Sequence, residues 1–142
     1  MTAAHPGPAA ATLPAAMRDA ILAHARAGYP NEACGLIIGD RPASEGGFPL
    51  RFEATRNAAE SPYRYDIAPD DLYRISVAAD DADQVVWGIV HSHVRSPAVP
   101  SPTDVGLAFY PDALYVLVSL TDESVRAWRI VGGGTHEVEL TE

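Results

Sequence analysis

The sequence contains no lysine. All ten basic residues are arginine, set against nineteen acidic residues, for a formal net charge of −9. Such a surface suits neither nucleic acid, whose phosphates are met by clustered positive charge, nor an anionic membrane. There is one cysteine, Cys34. That excludes an internal disulfide framework and fits a reducing, cytoplasmic setting. It also excludes a zinc site built on two or more thiolates of one chain. No apolar run approaches the about 18 residues that a membrane-spanning helix needs. The first residues, MTAAHPGPAAATLP, have neither the basic start nor the apolar stretch of a secretory signal. The missing lysine itself has a compositional explanation in a chain this rich in alanine and proline.

What is present suits one domain. The chain has 142 residues, 47% of them hydrophobic, enough for a single core and hardly for two. Residues 1–13 are Ala/Pro/Gly-rich and read as a flexible tail, 14–131 as the domain and 132–142 as a loose acidic tail. Met17, Ile21, Leu22 and Ala25 recur at helical spacing after Pro14, and Gly28 with Pro30 ends that helix. Cys34 to Ile38 reads as a buried strand, 41–47 as a turn, 48–57 as a strand and 63–67 as a short further strand. A helix runs from Pro69 to about Asp81, with acids at its positive end. Val85 to Val90 is continuously apolar, the pattern of a strand covered on both faces. A loop over 94–100 leads to a helix from Ser101 to about Phe109, and strands follow at 114–120 and 125–131. The interspersed order predicts an α/β fold with a mixed sheet.

The chemistry concentrates where the 85–90 strand runs into His91-Ser92-His93. Residues i and i+2 of a strand share a face, so His91 and His93 can converge while Ser92 points away. Two neutral imidazoles form half of a zinc site, and with one cysteine in the chain the third ligand has to be histidine or carboxylate. Asp104 can return over the strand end from the first turn of the next helix. Three protein ligands would leave one position open, the pattern of a catalytic zinc site. Each piece has a plainer reading: a His pair at a strand end that only hydrogen-bonds, Ser101-x-x-Asp104 as a capping box, and Glu32 as a surface carboxylate.

Taken together, Glu32, His91-Ser92-His93, seven residues, Ser101, two residues and Asp104 resemble the signature of the JAMM (MPN+) metalloprotease family. The resemblance extends to the segment from Asn31 to Leu36, to Asn57 with Ser61-Pro62 and Tyr65, and to the strands around Tyr115–Ser119 and Trp128–Ile130. It covers roughly residues 15–131. Val94 departs from it, since many members carry proline there. The resemblance implies one MPN/JAMM domain of cytidine-deaminase-like fold, a mixed sheet flanked by helices. It implies Zn²⁺ held by His91, His93 and Asp104, with Glu32 as general base and Ser101 as oxyanion donor. Among the family the chain is most similar to the small Mec-type isopeptidases, which cut cysteine from the C-terminal Gly-Gly of a ubiquitin-like sulfur-carrier protein. That implies such a carrier as partner; deconjugation from lysine side chains and a non-catalytic scaffold are the alternatives. A zinc deaminase would need H-x-E with P-C-x-x-C, which is lacking. Cys34, within an apolar run, reads as a core residue rather than a nucleophile. Tyr63, Arg64 and Tyr65 read equally well as a substrate groove or as packing. His5, His24 and His136 are not assigned to the metal, and the oligomeric state is not readable.

Overall fold

The computed structural model describes residues 7–142. Seven strands and three helices follow the order β1 (Ala10–Thr12), α1 (Ala15–Gly28), β2 (Cys34–Gly39), β3 (Pro49–Thr55), α2 (Pro69–Asp81), β4 (Val85–His93), α3 (Pro102–Gly106), β5 (Leu114–Ser119), β6 (Val125–Val131) and β7 (Gly134–Thr141). One short 3₁₀ turn, Ala43–Glu45, sits in the β2–β3 connection. The strands form a single sheet in the order β1-β7-β6-β5-β4-β2-β3. The β1–β7 and β4–β5 pairs are parallel and the other pairs antiparallel, which is the mixed α/β architecture expected from the sequence.

Each face of the sheet is covered by one helix. Strand side chains alternate between faces, so Leu114, Val116 and Val118 of β5 pack with Ile21 and Ala25 of α1. Tyr115 and Leu117 of the same strand pack with Ile75 and Ala79 of α2. Burial on both sides explains why β2, β4 and β5 read as nearly continuous apolar runs.

One irregularity decides which face carries the histidines. Along β2–β4, Ile37 pairs with Gly88 and Ile38 with Val86, so the ladder skips Trp87. The extra residue is a β-bulge. Val86 packs on the α2 side and Trp87 on the α1 side, where its Nε1–H donates to the Gly47 carbonyl at 2.7 Å. After the bulge, Ile89 and the residues in phase with it, His91 and His93, face α2.

The structure corrects four expectations. The segment 132–142 is no loose tail: Gly132 and Gly133 take left-handed backbone conformations (φ 58° and 81°) in the tight turn of the β6–β7 hairpin, and β7 buries Val138. Its charged residues occupy exposed alternate positions, which hid the strand. Residues 10–12 belong to the sheet as well, pairing with Glu139–Thr141, whereas the first six residues of the expected tail lie outside the described ones. Residues 63–67 form no strand; a single bridge joins Asn57 to Ile67. The helix expected to reach Phe109 stops at Gly106.

Candidate metal centre

β4 continues past its apolar run, so His91 and His93 are both strand residues. His91 lies opposite Cys34 of β2 and Leu117 of β5, while His93 lies opposite Ser119. Ser92 points to the other face, and its Oγ accepts the Ala33 N–H at 2.8 Å. The Ser92 N–H in turn donates to the Ala33 carbonyl at 2.9 Å. This pair of bonds fixes the entrance of β2, and with it the preceding residue, Glu32, against the histidine strand.

Glu32 is also held from the β3–α2 loop. Its N–H donates to the Ser61 carbonyl at 2.8 Å, and its carbonyl accepts from Asn57 Nδ2 at 2.9 Å. Asn57 organises that loop. Its amide also donates to the Arg64 carbonyl (3.1 Å), and its Oδ1 accepts from the N–H groups of Ala59 (3.0 Å) and Asp66 (2.9 Å). The same loop lays Tyr65 flat on His91, with ring centroids 4.3 Å apart and planes 19° from parallel. Sequence reasoning gave Asn57 no role of its own. An asparagine can satisfy backbone groups on several turns at once, but only the folded loop shows which ones.

The loop after His93 is tied to the sheet through three successive carbonyls. Ser119 Oγ–H donates to Ser96 O (2.8 Å), His93 Nδ1 to Pro97 O (2.8 Å) and Trp128 Nε1–H to Ala98 O (2.9 Å). Val94, where the sequence departs from the signature, is buried in this loop. The loop delivers Ser101 and Asp104 to the site. The capping box does exist, and it serves the site as well. Ser101 Oγ accepts the Asp104 N–H (3.1 Å), Asp104 Oδ2 accepts the Ser101 N–H (2.9 Å), and the Asp104 carboxylate also faces both histidines.

His91 Nε2 is 3.1 Å from Asp104 Oδ1, His93 Nε2 is 2.9 Å from Asp104 Oδ2, and the two Nε2 atoms are 3.2 Å apart. All three residues are buried, as is Glu32. Burial alone would raise the Asp104 carboxyl, but the bonds from His91, His93 and the Ser101 N–H outweigh it and hold the group well below the usual carboxylate range. Burial pushes His91 down despite the nearby carboxylate. At His93 burial acts the same way, but its bonds to Asp104 and to the Pro97 carbonyl reverse the direction. Glu32 is raised to about 7 from 4.5, first by burial; His93 pulls it down and Asp104 pushes it further up.

The donor set fits a metal ion. The Pro97 carbonyl can only accept, so His93 Nδ1 carries the ring proton, and the neutral ring turns a bare Nε2 lone pair towards Asp104. Two acceptors at that distance call for a cation, either a second ring proton or a metal. One ligand atom from each of His91, His93 and Asp104 lies within 4.8 Å of the other two. Glu32 and Ser101 line the adjoining cleft together with His93, so the fold gathers all five residues singled out in the sequence. The Oε1 atom of Glu32 is buried and has no hydrogen-bond partner among the described residues.

The other sequence candidates fall outside this cluster. Cys34 is fully buried, its Sγ lies 3.3 Å from Thr55 Oγ1, and burial pushes its thiol up to about 11 even though that contact lowers it. His24 Nε2 lies 2.8 Å from the Cys34 carbonyl oxygen, and His136 is exposed on β7. Tyr63 is exposed at the cleft rim, whereas Tyr65 packs.

Known proteins resemble this chain over most of its length. The chain is 41% identical over 122 residues to the CysO-cysteine peptidase of Mycobacterium tuberculosis, covering 84% of this chain and 82% of that one. It is 35% identical over 112 residues to the desampylase of Haloferax volcanii, covering 76% and 79%. A Desulfitobacterium hafniense protein of known solution structure superposes with a TM-score of 0.81 at 32% identity, over 92% of this chain and 90% of that one. Residues 14–131 match the family described as prokaryotic homologs of the JAB domain, and the chain belongs to that family.

Proposed function

We propose that this chain is a zinc-dependent peptidase that hydrolyses the amide bond after the C-terminal Gly-Gly of a ubiquitin-like or sulfur-carrier protein, releasing cysteine or another amino acid. The observation that carries the reading is Glu32: a buried carboxylate with an unpartnered oxygen, beside a cluster of two histidines and an aspartate. Burial first, with Asp104 adding to it and His93 opposing, adapts it to proton transfer near neutral pH. The names of the mycobacterial and haloarchaeal relatives support a protein-conjugate substrate.

His91, His93 and Asp104 would hold the metal, which when bound supplies a Lewis acid that activates water and polarises the scissile carbonyl. Glu32 takes a proton from the attacking water as its oxygen bonds to the carbonyl carbon. Ser101 Oγ already accepts from Asp104 N–H, which leaves its hydroxyl hydrogen free to donate to the oxyanion. Glu32 then passes its proton to the leaving nitrogen as the C–N bond breaks. Asp104 keeps the two imidazoles aligned, and the Pro97 carbonyl fixes the His93 tautomer.

The test uses zinc-loaded protein and a carrier ending in Gly-Gly, joined either to cysteine or to a lysine side chain, with mass spectrometry of the products. The expected result is free carrier and free cysteine, abolished by a chelator and unaffected by thiol alkylation. Cleavage of the lysine conjugate alone would favour the deconjugating activity for which the haloarchaeal relative is named. No cleavage of either by protein carrying about one zinc per chain would leave the scaffold reading.

A further inference from the structure

Beside the His91, His93 and Asp104 cluster lies a cleft of about 190 Å³ whose lining includes His93 itself with Glu32, Pro62, Tyr63, Val94 and Arg95. Arg95 is the one guanidinium along it. It is exposed, and no hydrogen bond or ion pair among the described residues engages its guanidinium. Elsewhere on this acidic chain Arg26, Arg56, Arg74 and Arg126 are paired with carboxylates, and the exposed Arg41 and Arg64, which have no carboxylate partner among the described residues, do not line this cleft. Arg95 is unpaired in the cleft that contains the proposed general base.

We infer that Arg95 reads the free α-carboxylate of the leaving amino acid. The inference rests on the peptidase reading above. In that reading Glu32 returns a proton to the leaving nitrogen, so the leaving group occupies the cleft that Glu32 lines. In an α-linked amino acid the carboxylate carbon lies about 2.5 Å from that nitrogen. The carboxylate is therefore brought close to Glu32 and Asp104, two groups that repel it. A cation on the cleft wall offsets that repulsion, and a guanidinium matches a carboxylate with two parallel donors. Pro62, Tyr63 and Val94 supply the apolar part of the same wall. A lysine side-chain conjugate brings four methylenes to the same place, and its carboxyl group is remote and bound in a peptide. Arg95 therefore selects conjugates of single amino acids over conjugates of protein lysines.

The experiment compares two conjugates of one Gly-Gly carrier, with cysteine and with cysteine carboxamide. Hydrolysis is measured with wild type, Arg95→Ala and Arg95→Lys. Equilibrium binding of both conjugates is measured on the Glu32→Gln background, with and without Arg95→Ala. Wild type is expected to prefer the carboxylate by about tenfold in kcat/KM and in binding, the size of one partly exposed charge-assisted pair. Arg95→Ala brings both ratios to about one, Arg95→Lys keeps part of them, and added salt shrinks the wild-type preference. A wild-type enzyme that cleaves both equally, or a preference that survives Arg95→Ala, overturns this role while leaving the peptidase reading intact. An enzyme that cleaves neither conjugate overturns the peptidase reading, and this inference with it.

Discussion

Ser101 and Asp104 hold each other: each backbone N–H donates to the other's side chain, at 2.9 and 3.1 Å. The start of α3 and the cluster facing His91 and His93 are therefore one structure. Ser101→Ala removes both the cap and the proposed oxyanion donor. It should lower Tm by the equivalent of about 1 kcal/mol and turnover by about a hundredfold or more. Ser101→Gly separates the two effects, since glycine costs an N-cap only a few tenths. Thermal melts and kcat on both variants check this; a Ser101→Gly enzyme with near-normal turnover would remove Ser101 from the chemistry. Asp104→Ala should lose bound metal, measured by elemental analysis.

Glu32→Gln should keep the metal and lose hydrolysis, and it should also change stability in a pH-dependent way. The folded pKa, raised to about 7, lies above the ordinary 4.5. The protonated form is thus favoured by the fold, and its contribution is complete below the unfolded value and lost as pH rises through 7. In metal-free protein, Glu32→Gln should match wild type near pH 4 and be more stable at pH 8, on the order of 2 kcal/mol. Urea melts at the two pH values measure it, and a difference independent of pH would contradict the assignment.

Asn57→Ala breaks all four bonds that shape the loop carrying Ser61 and Tyr65. It should destabilise the protein by about 1–3 kcal/mol and reduce kcat through a displaced Glu32, with metal content unchanged. Loss of metal with retained kcat per bound metal would place its effect elsewhere.

The thiol of Cys34 is buried and pushed up to about 11. It should resist alkylation in native protein at neutral pH and react once in denaturant, since the thiolate is the reacting form. Rapid native labelling that abolishes activity would revive the nucleophile reading.

The candidate site was legible because its determinants are local. Val85–Val90 is apolar for both faces, a two-residue period joins His91 to His93, and the Ser101–Asp104 spacing is that of a helix start. The two outer strands were not legible. β7 carries His136, Glu137 and Glu139 at exposed positions and buries only Val138 fully, so its polar half dominates the sequence. β1 is three residues of Ala and Thr whose strand state depends on β7 being there. Asn57 and the stack of Tyr65 on His91 depend on loop closure, and no periodicity records that. Arg95 has no local signature at all, because what distinguishes it is its place on the cleft wall that Glu32 also lines.

The residue skipped at Trp87 has a consequence for how this chain can change. Every side chain of β4 beyond it is set in phase by one unpaired residue. Deleting that residue would leave a sheet of the same length and nearly the same hydropathy. It would also turn His91 and His93 towards α1, away from Asp104, Glu32 and Tyr65. In this stretch substitutions are graded in their effect, whereas a single-codon deletion acts as a parity switch for the whole centre.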